Sequence, residues 1–157
     1  ELFLIFAILI FYLIKLFEKN FLGESGNYVI GFFISILLIK IVNDDKVISP
    51  IFAVSIFWYP AFENLFSILR KFFFNKTSAF SADTLHLHTL LFNFLKNKNL
   101  KYSNSLSGVL INLSLIPNFL ISYNNFYNSK ILIINVLLYL ILYMLIYYKL
   151  KKYQEIR

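Results

Sequence analysis

Apolar residues gather into five runs, Leu2 to Phe17, Asn27 to Val42, Ser49 to Leu69, Leu106 to Tyr123 and Ile131 to Tyr148, with polar pieces between them. Each run is about 16 to 21 residues, near the roughly 20 that carry a helix across the hydrocarbon of a bilayer. Lipid leaves the backbone no partner but itself, so the pattern predicts an all-α fold, a polytopic transmembrane helical bundle with about five spans. A different pattern occupies the longest polar piece. Leu87, Leu90, Leu91, Phe94 and Leu95 recur at helical spacing before "KNKN", which predicts a short amphipathic helix lying on the membrane or on neighbouring spans. Asn104 is placed to cap the fourth span. Pro50, Pro60 and Pro117 begin or interrupt spans, where neighbouring helices rescue the freed backbone. With no repeat and no low-complexity linker, residues 1–157 read as a single transmembrane domain.

Composition agrees: 59% of the 157 residues are apolar, against about 45 to 50% in soluble domains. The absence of cysteine excludes disulfides and thiolate metal sites. The net charge of +7 reports orientation first, and no soluble basic domain exists to bind nucleic acid. If the spans alternate, twelve of the fifteen Lys and Arg residues fall on one side, leaving Lys40, Lys46 and Lys130 on the other. By the positive-inside rule, the loops at about 18–27 and 70–105 and the tail 149–157 are cytoplasmic. The chain opens on Glu1 and is apolar from Leu2, without the basic start of a signal peptide, so Glu1 is expected to be a cut inside a longer protein.

Three polar constellations need explaining. In "FLGESG", Phe21 to Gly26, two glycines let the backbone approach a ligand, and Glu24 offers an oxygen to a hard cation such as Mg2+. The plain alternative is a glycine turn between helices. Glu63, in "YPAFENLFSILRK", lies seven residues before Arg70, inside the third span. A carboxylate there is expensive, so it is either functional or held by Asn64 or a neighbouring helix. The only two histidines, His86 and His88, sit in "SAFSADTLHLHTLLF" near Asp83. On a helix they diverge by about 200°, whereas on extended backbone they share one side, so a joint role requires an extended "HLH". Otherwise they are two loop histidines meeting water or headgroups.

In order and spacing, the three pieces resemble one family, the bacterial polyprenyl-phosphate N-acetylhexosamine-1-phosphate transferases, related to phospho-N-acetylmuramoyl-pentapeptide transferase. "FLGESGNYVIGF" is similar to their L-G-D-S-G-x-x-x-x-G-F segment, "YPAFENLFSILRK" to P-x-x-D-x-x-x-x-x-x-R-R, and "SAFSADTLHLHTLLF" to S-P-F-S-P-D-R-x-H-L-H-H-L-L. The likeness runs from about Phe21 to Phe92. It implies a multi-pass enzyme of the bacterial cytoplasmic membrane, with its active site on the cytoplasmic face. Such an enzyme transfers a sugar-1-phosphate from a UDP-sugar to undecaprenyl phosphate, releasing UMP and starting a lipid-linked glycan. The likeness further implies Mg2+, with Mn2+ as a substitute, held by Glu24, and contact of His86 and His88 with the nucleotide sugar's phosphates. Ser25, Gly26, Asp83 and Arg70 would bind substrate, with Asp83 orienting the loop; a homodimer stays open.

The sequence departs from the family at several points. Glu24 and Glu63 replace Asp, Ala82 replaces Pro, and Thr84 and Thr89 replace an Arg and a His. The family's adjacent aspartates precede the G-D-S-G segment and have no counterpart before Phe21, so the chain is expected to be the C-terminal half of the enzyme, inactive alone. The rival expectation is a non-catalytic relative that keeps the fold and serves glycan-assembly enzymes as a scaffold. A transporter using Glu63 as an ion site is a third.

Overall fold

The computed structural model describes residues 23–75 and 85–156, all of them helix or connecting turn. Helix α1 covers Gly23–Asp44, α2 Pro50–Arg70, α3 Leu87–Asn97, α4 Ser103–Asn124 and α5 Ser129–Glu155. A π-helical turn, Lys71–Asn75, continues α2. The first apolar run, Leu2 to Phe17, lies outside the described residues.

Local chemistry sets the starts of α2 and α5. Ser49 is extended and its Oγ accepts from the N–H of Ile51, while Pro50 fills the first helical position, where no N–H is needed. Asn128 does the same for α5, its Oδ1 accepting from the N–H groups of Lys130 and Ile131. The two caps also meet: the Ser49 N–H donates to Phe126 O at 2.9 Å, and the Ser49 and Ser129 hydroxyls are 2.7 Å apart. Further along, Trp58 packs on Tyr139, and at the far end Arg70 reaches Tyr147. Helices α2 and α5 therefore run parallel, with α4 returning antiparallel between α3 and the start of α5. The connections of residues 45–49 and 125–128 share one end of the bundle; α3 and the end of α5 share the other.

The amphipathic stretch is a helix as expected, and it lies on the neighbouring helices. Leu87, Leu90 and Leu95 are buried, and Leu90 and Leu87 join Trp58, Tyr143, Tyr147 and Leu150 in one core cluster. Its end is a left-handed turn at Asn99 (φ 55°), with the N–H of Asn99 donating to Lys96 O and that of Leu100 to Leu95 O. Asparagine tolerates that conformation and so closes the helix. The expected cap at Asn104 is corrected: α4 starts after Tyr102, itself left-handed at φ 59°, and Asn104 sits within the first turn. Its carbonyl accepts from the Ser107 hydroxyl instead.

The bundle is inside out relative to a soluble protein. Phe32, Leu113, Leu138 and Leu145 point outward, while Ser55, Ser107, Ser122, Asn118 and Asn135 are buried. Small and polar residues between helices, with large apolar ones outside, are how helices pack in lipid. Asn135 Nδ2 donates to Asn118 O and to Ser122 Oγ, tying α5 to α4. Among the described residues, three helical stretches are long and apolar enough to cross a membrane: Pro50–Phe73, Ser103–Asn124 and Ser129–Glu155. The second apolar run is helical as α1 but is not one of the three, and the first lies outside the described residues, so the described residues support three of the five expected spans.

Candidate functional site

The polar groups that stand out collect at one end of the bundle, where α2 ends and α3 begins. Two side chains of α2, seven residues and so about two turns apart, lie on its inward face: Glu63 and Arg70, 7% and 6% exposed. Each takes hold of the backbone entering α3. Arg70 Nη1 donates to Leu85 O at 2.8 Å, and the N–H of Leu87 donates to Glu63 Oε1 at 2.7 Å. Between those two contacts sits His86, whose Nδ1 lies 3.1 Å from the same Glu63 oxygen.

Helix α3 thus has an unusual cap. His86 occupies the N-cap position with extended backbone (φ −71°, ψ 149°) but offers no side-chain hydrogen bond to the helix. The carboxylate of Glu63, from another helix, takes that role, and its charge suits the positive end of the helix. Of the two alternatives for Glu63, the structure shows the neighbouring helix as its partner and not Asn64, which is exposed.

The expectation of an extended "HLH" needs correction. Only His86 is extended; Leu87 and His88 already belong to α3. The imidazoles nevertheless share one side, stacked with centroids 5.5 Å apart and planes 16° apart. The divergence of about 200° applies between two helical residues, and the N-cap is not helical. His86 is partly buried and His88 exposed. The His88 ring is still partly shielded from water, and this, with the nearby His86 adding to the effect, holds its pKa below the ordinary 6.5, although Glu63 opposes the shift.

Arg70 is locked into the bundle. Besides Leu85 O, its Nη1 reaches the Tyr147 hydroxyl at 2.6 Å, and its guanidinium lies over the rings of Phe66 and Tyr147, 5.7 and 5.6 Å from their centroids. Lys71, the next residue, is buried as well. An apolar cavity of about 210 Å³ adjoins the cluster, lined by Trp58, Tyr59, Leu87, Leu115 and Tyr143 among others.

The structure brings His86, His88, Glu63 and Arg70 together. Glu24, Ser25 and Gly26 form the first turn of α1, but the side chains of Glu24 and Ser25, and Asp83 entirely, lie outside the described residues. Among the described residues no group of three His, Cys, Asp or Glu could hold a metal ion. Sequence reasoning missed Tyr147 and Tyr143 as walls of the site. Their i, i+4 spacing on α5 was the available signal, hidden in a span rich in aromatic and aliphatic side chains.

Chemically, the cluster presents one exposed and one half-buried imidazole, held side by side and able to donate to or accept from a polar ligand. Comparison with models of protein families, with curated proteins and with solved structures finds no match for this chain.

Proposed function

We propose that the chain belongs to a membrane enzyme that transfers a sugar-1-phosphate, N-acetylhexosamine-1-phosphate by the resemblance of its motifs, from a UDP-sugar to undecaprenyl phosphate. The observation that carries this reading is the stacked pair His86 and His88 at the end of the bundle richest in basic residues. In such a reaction an oxygen of undecaprenyl phosphate attacks the phosphorus bearing the sugar. The bond from that phosphorus to the bridging oxygen breaks, and UMP leaves with the electron pair. Imidazole N–H groups held in place donate to phosphate oxygens whose charge grows in the transition state. Glu24 would supply one hard oxygen for Mg2+, which would neutralise phosphate charge; other ligands would have to come from substrate, water or further residues. In this reading α1 and the run Leu2 to Phe17 complete five crossings of the bacterial cytoplasmic membrane, with the imidazoles on the cytoplasmic face.

The test uses the full-length protein in liposomes with a UDP-N-acetylhexosamine, undecaprenyl phosphate and Mg2+. UMP release is expected, falling about 100-fold in His88→Ala, a change at an exposed position that leaves the fold intact. No release from the unmodified protein, or an unaffected His88→Ala, overturns the reading.

Two observations favour a second reading, a non-catalytic relative acting as scaffold: His86 Nδ1 is engaged by Glu63, and Thr89 stands where the family has another imidazole. That reading expects UDP-sugar and Mg2+ to leave the melting temperature unchanged, because a ligand that binds the native state must raise it.

A further inference from the structure

We infer that the lysines where α3 and α5 end form a docking patch for anionic phospholipid headgroups, separate from the imidazole pair and independent of the transferase reading.

Five exposed ammonium groups collect there: Lys96, Lys98 and Lys101 between the last turn of α3 and the start of α4, and Lys149 and Lys152 near the end of α5. One ring contact joins the two groups. Phe94 of α3 meets Tyr153 of α5 edge-on, centroids 4.9 Å apart, and Lys98 Nζ lies 4.8 Å from the centroid of the same Phe94. Lys149, one turn before Tyr153, shares its helix face, so lysines of α3 and of α5 flank one seam. Like charges gathered in this way repel one another until an anion joins them. Among the described side chains, the acids of this end are the buried Glu63 and the exposed Glu155, and Glu155 already faces Lys151 at 3.6 Å. The described residues thus leave the charge of the five lysines uncompensated.

The kind of anion follows from where the patch lies and what surrounds it. Of the apolar helices long enough to cross a membrane, Ser103–Asn124 begins and Ser129–Glu155 ends at this level, so the lysines stand at headgroup depth. Lys96 lies over the Phe92 ring at 5.7 Å and Lys101 over the Tyr102 ring at 5.0 Å. An ammonium resting on a ring keeps N–H groups for an oxygen anion, and aromatic rings are at home in the headgroup zone. Beside them Leu100, Tyr102 and Ile156 are exposed. Such side chains suit the boundary between headgroups and acyl chains, whereas a soluble polyanion offers them nothing. The patch is also remote from the candidate site, since the rise from His86 to Lys98 along α3 is about 18 Å.

The test compares spin-labelled phosphatidylglycerol with spin-labelled phosphatidylcholine at the surface of the full-length protein in phosphatidylcholine bilayers, by electron paramagnetic resonance. Phosphatidylglycerol is expected to associate about twofold more strongly at low salt, a preference of roughly fivefold per lysine diluted by the rest of the lipid-facing surface. The ratio should fall toward one in high salt and in the combined variant Lys98→Gln, Lys101→Gln, Lys149→Gln, Lys152→Gln, whose exposed positions leave the fold intact. Equal association of the two lipids with the unmodified protein overturns the inference, and that result depends on no variant. The same loss of selectivity in Lys40→Gln, Lys46→Gln, Lys130→Gln, at the opposite end, overturns it as well, because selectivity would then follow total charge. Equimolar undecaprenyl phosphate separates the two lipid sources: labelled phosphatidylglycerol that stays bound supports the patch, and its displacement reassigns the lysines to the polyprenyl substrate and overturns the inference.

Discussion

The two ends of α2 solve the same problem, anchoring the helix to its neighbours, by opposite means. At the Ser49 end the anchors are short neutral groups: a serine cap, a hydroxyl pair with Ser129 and one backbone hydrogen bond to Phe126. At the Arg70 end they are a buried guanidinium and a buried carboxylate, each reaching a residue 15 or more positions away. Neutral capping suffices to join helices, and burying charges is costly even when they are paired. That expense falls at one end only, the end that holds His86 and His88.

That contrast can be tested most severely at Arg70. Arg70→Met keeps the stem's apolar contacts but removes charge-assisted hydrogen bonds to Leu85 and Tyr147, and should cost about 3 kcal/mol in equilibrium unfolding in mixed micelles. A loss under about 1 kcal/mol would put the two ends on a par. Ser49→Ala should cost about 1 kcal/mol by the same measurement, the worth of an N-cap. Between the ends, Asn135→Val removes the amide bridge to Asn118 and Ser122 and should cost roughly 0.6 kcal/mol, typical of interhelical hydrogen bonds in lipid.

The smallest effect expected is a pH dependence at the charged end. Burial lowers the His88 pKa in the folded state, so the unfolded chain binds more protons below the ordinary 6.5. The stability tied to a neutral His88 is therefore complete above that pH and is lost as pH falls through the lower folded value. The melting temperature should drop on acidification from pH 7, and drop less in His88→Gln; equal slopes would remove His88 as the cause.

Much of the frame was legible because it depends on local pattern. The period of Leu87, Leu90, Leu91, Phe94 and Leu95 marks α3, and the sorting of Lys and Arg agrees with the shared ends seen for the helices that follow α1. The site was legible in membership but not in wiring. Glu63, Arg70, His86 and His88 each stand out as polar residues in an apolar chain, yet Glu63 meets Leu87 across 24 positions and no spacing rule reaches that far. The His pair defeated a periodic argument for a definable reason, since one ring sits on the cap and the other on the helix. Asn104 misled because the preceding Tyr102 takes the left-handed turn that starts α4, leaving the asparagine two residues past the cap position.

Trp58, the chain's single tryptophan, is 6% exposed and wedged between Tyr59 and Tyr139, in the wall of the apolar cavity and five positions before Glu63. It makes the molecule its own optical gauge. Excited beyond the tyrosine band, it reports only from the seam of α2 and α5, and its blue emission should move red when that seam admits water. Loosening at the charged end can thus be followed in the native chain, in lipid, without attaching a dye.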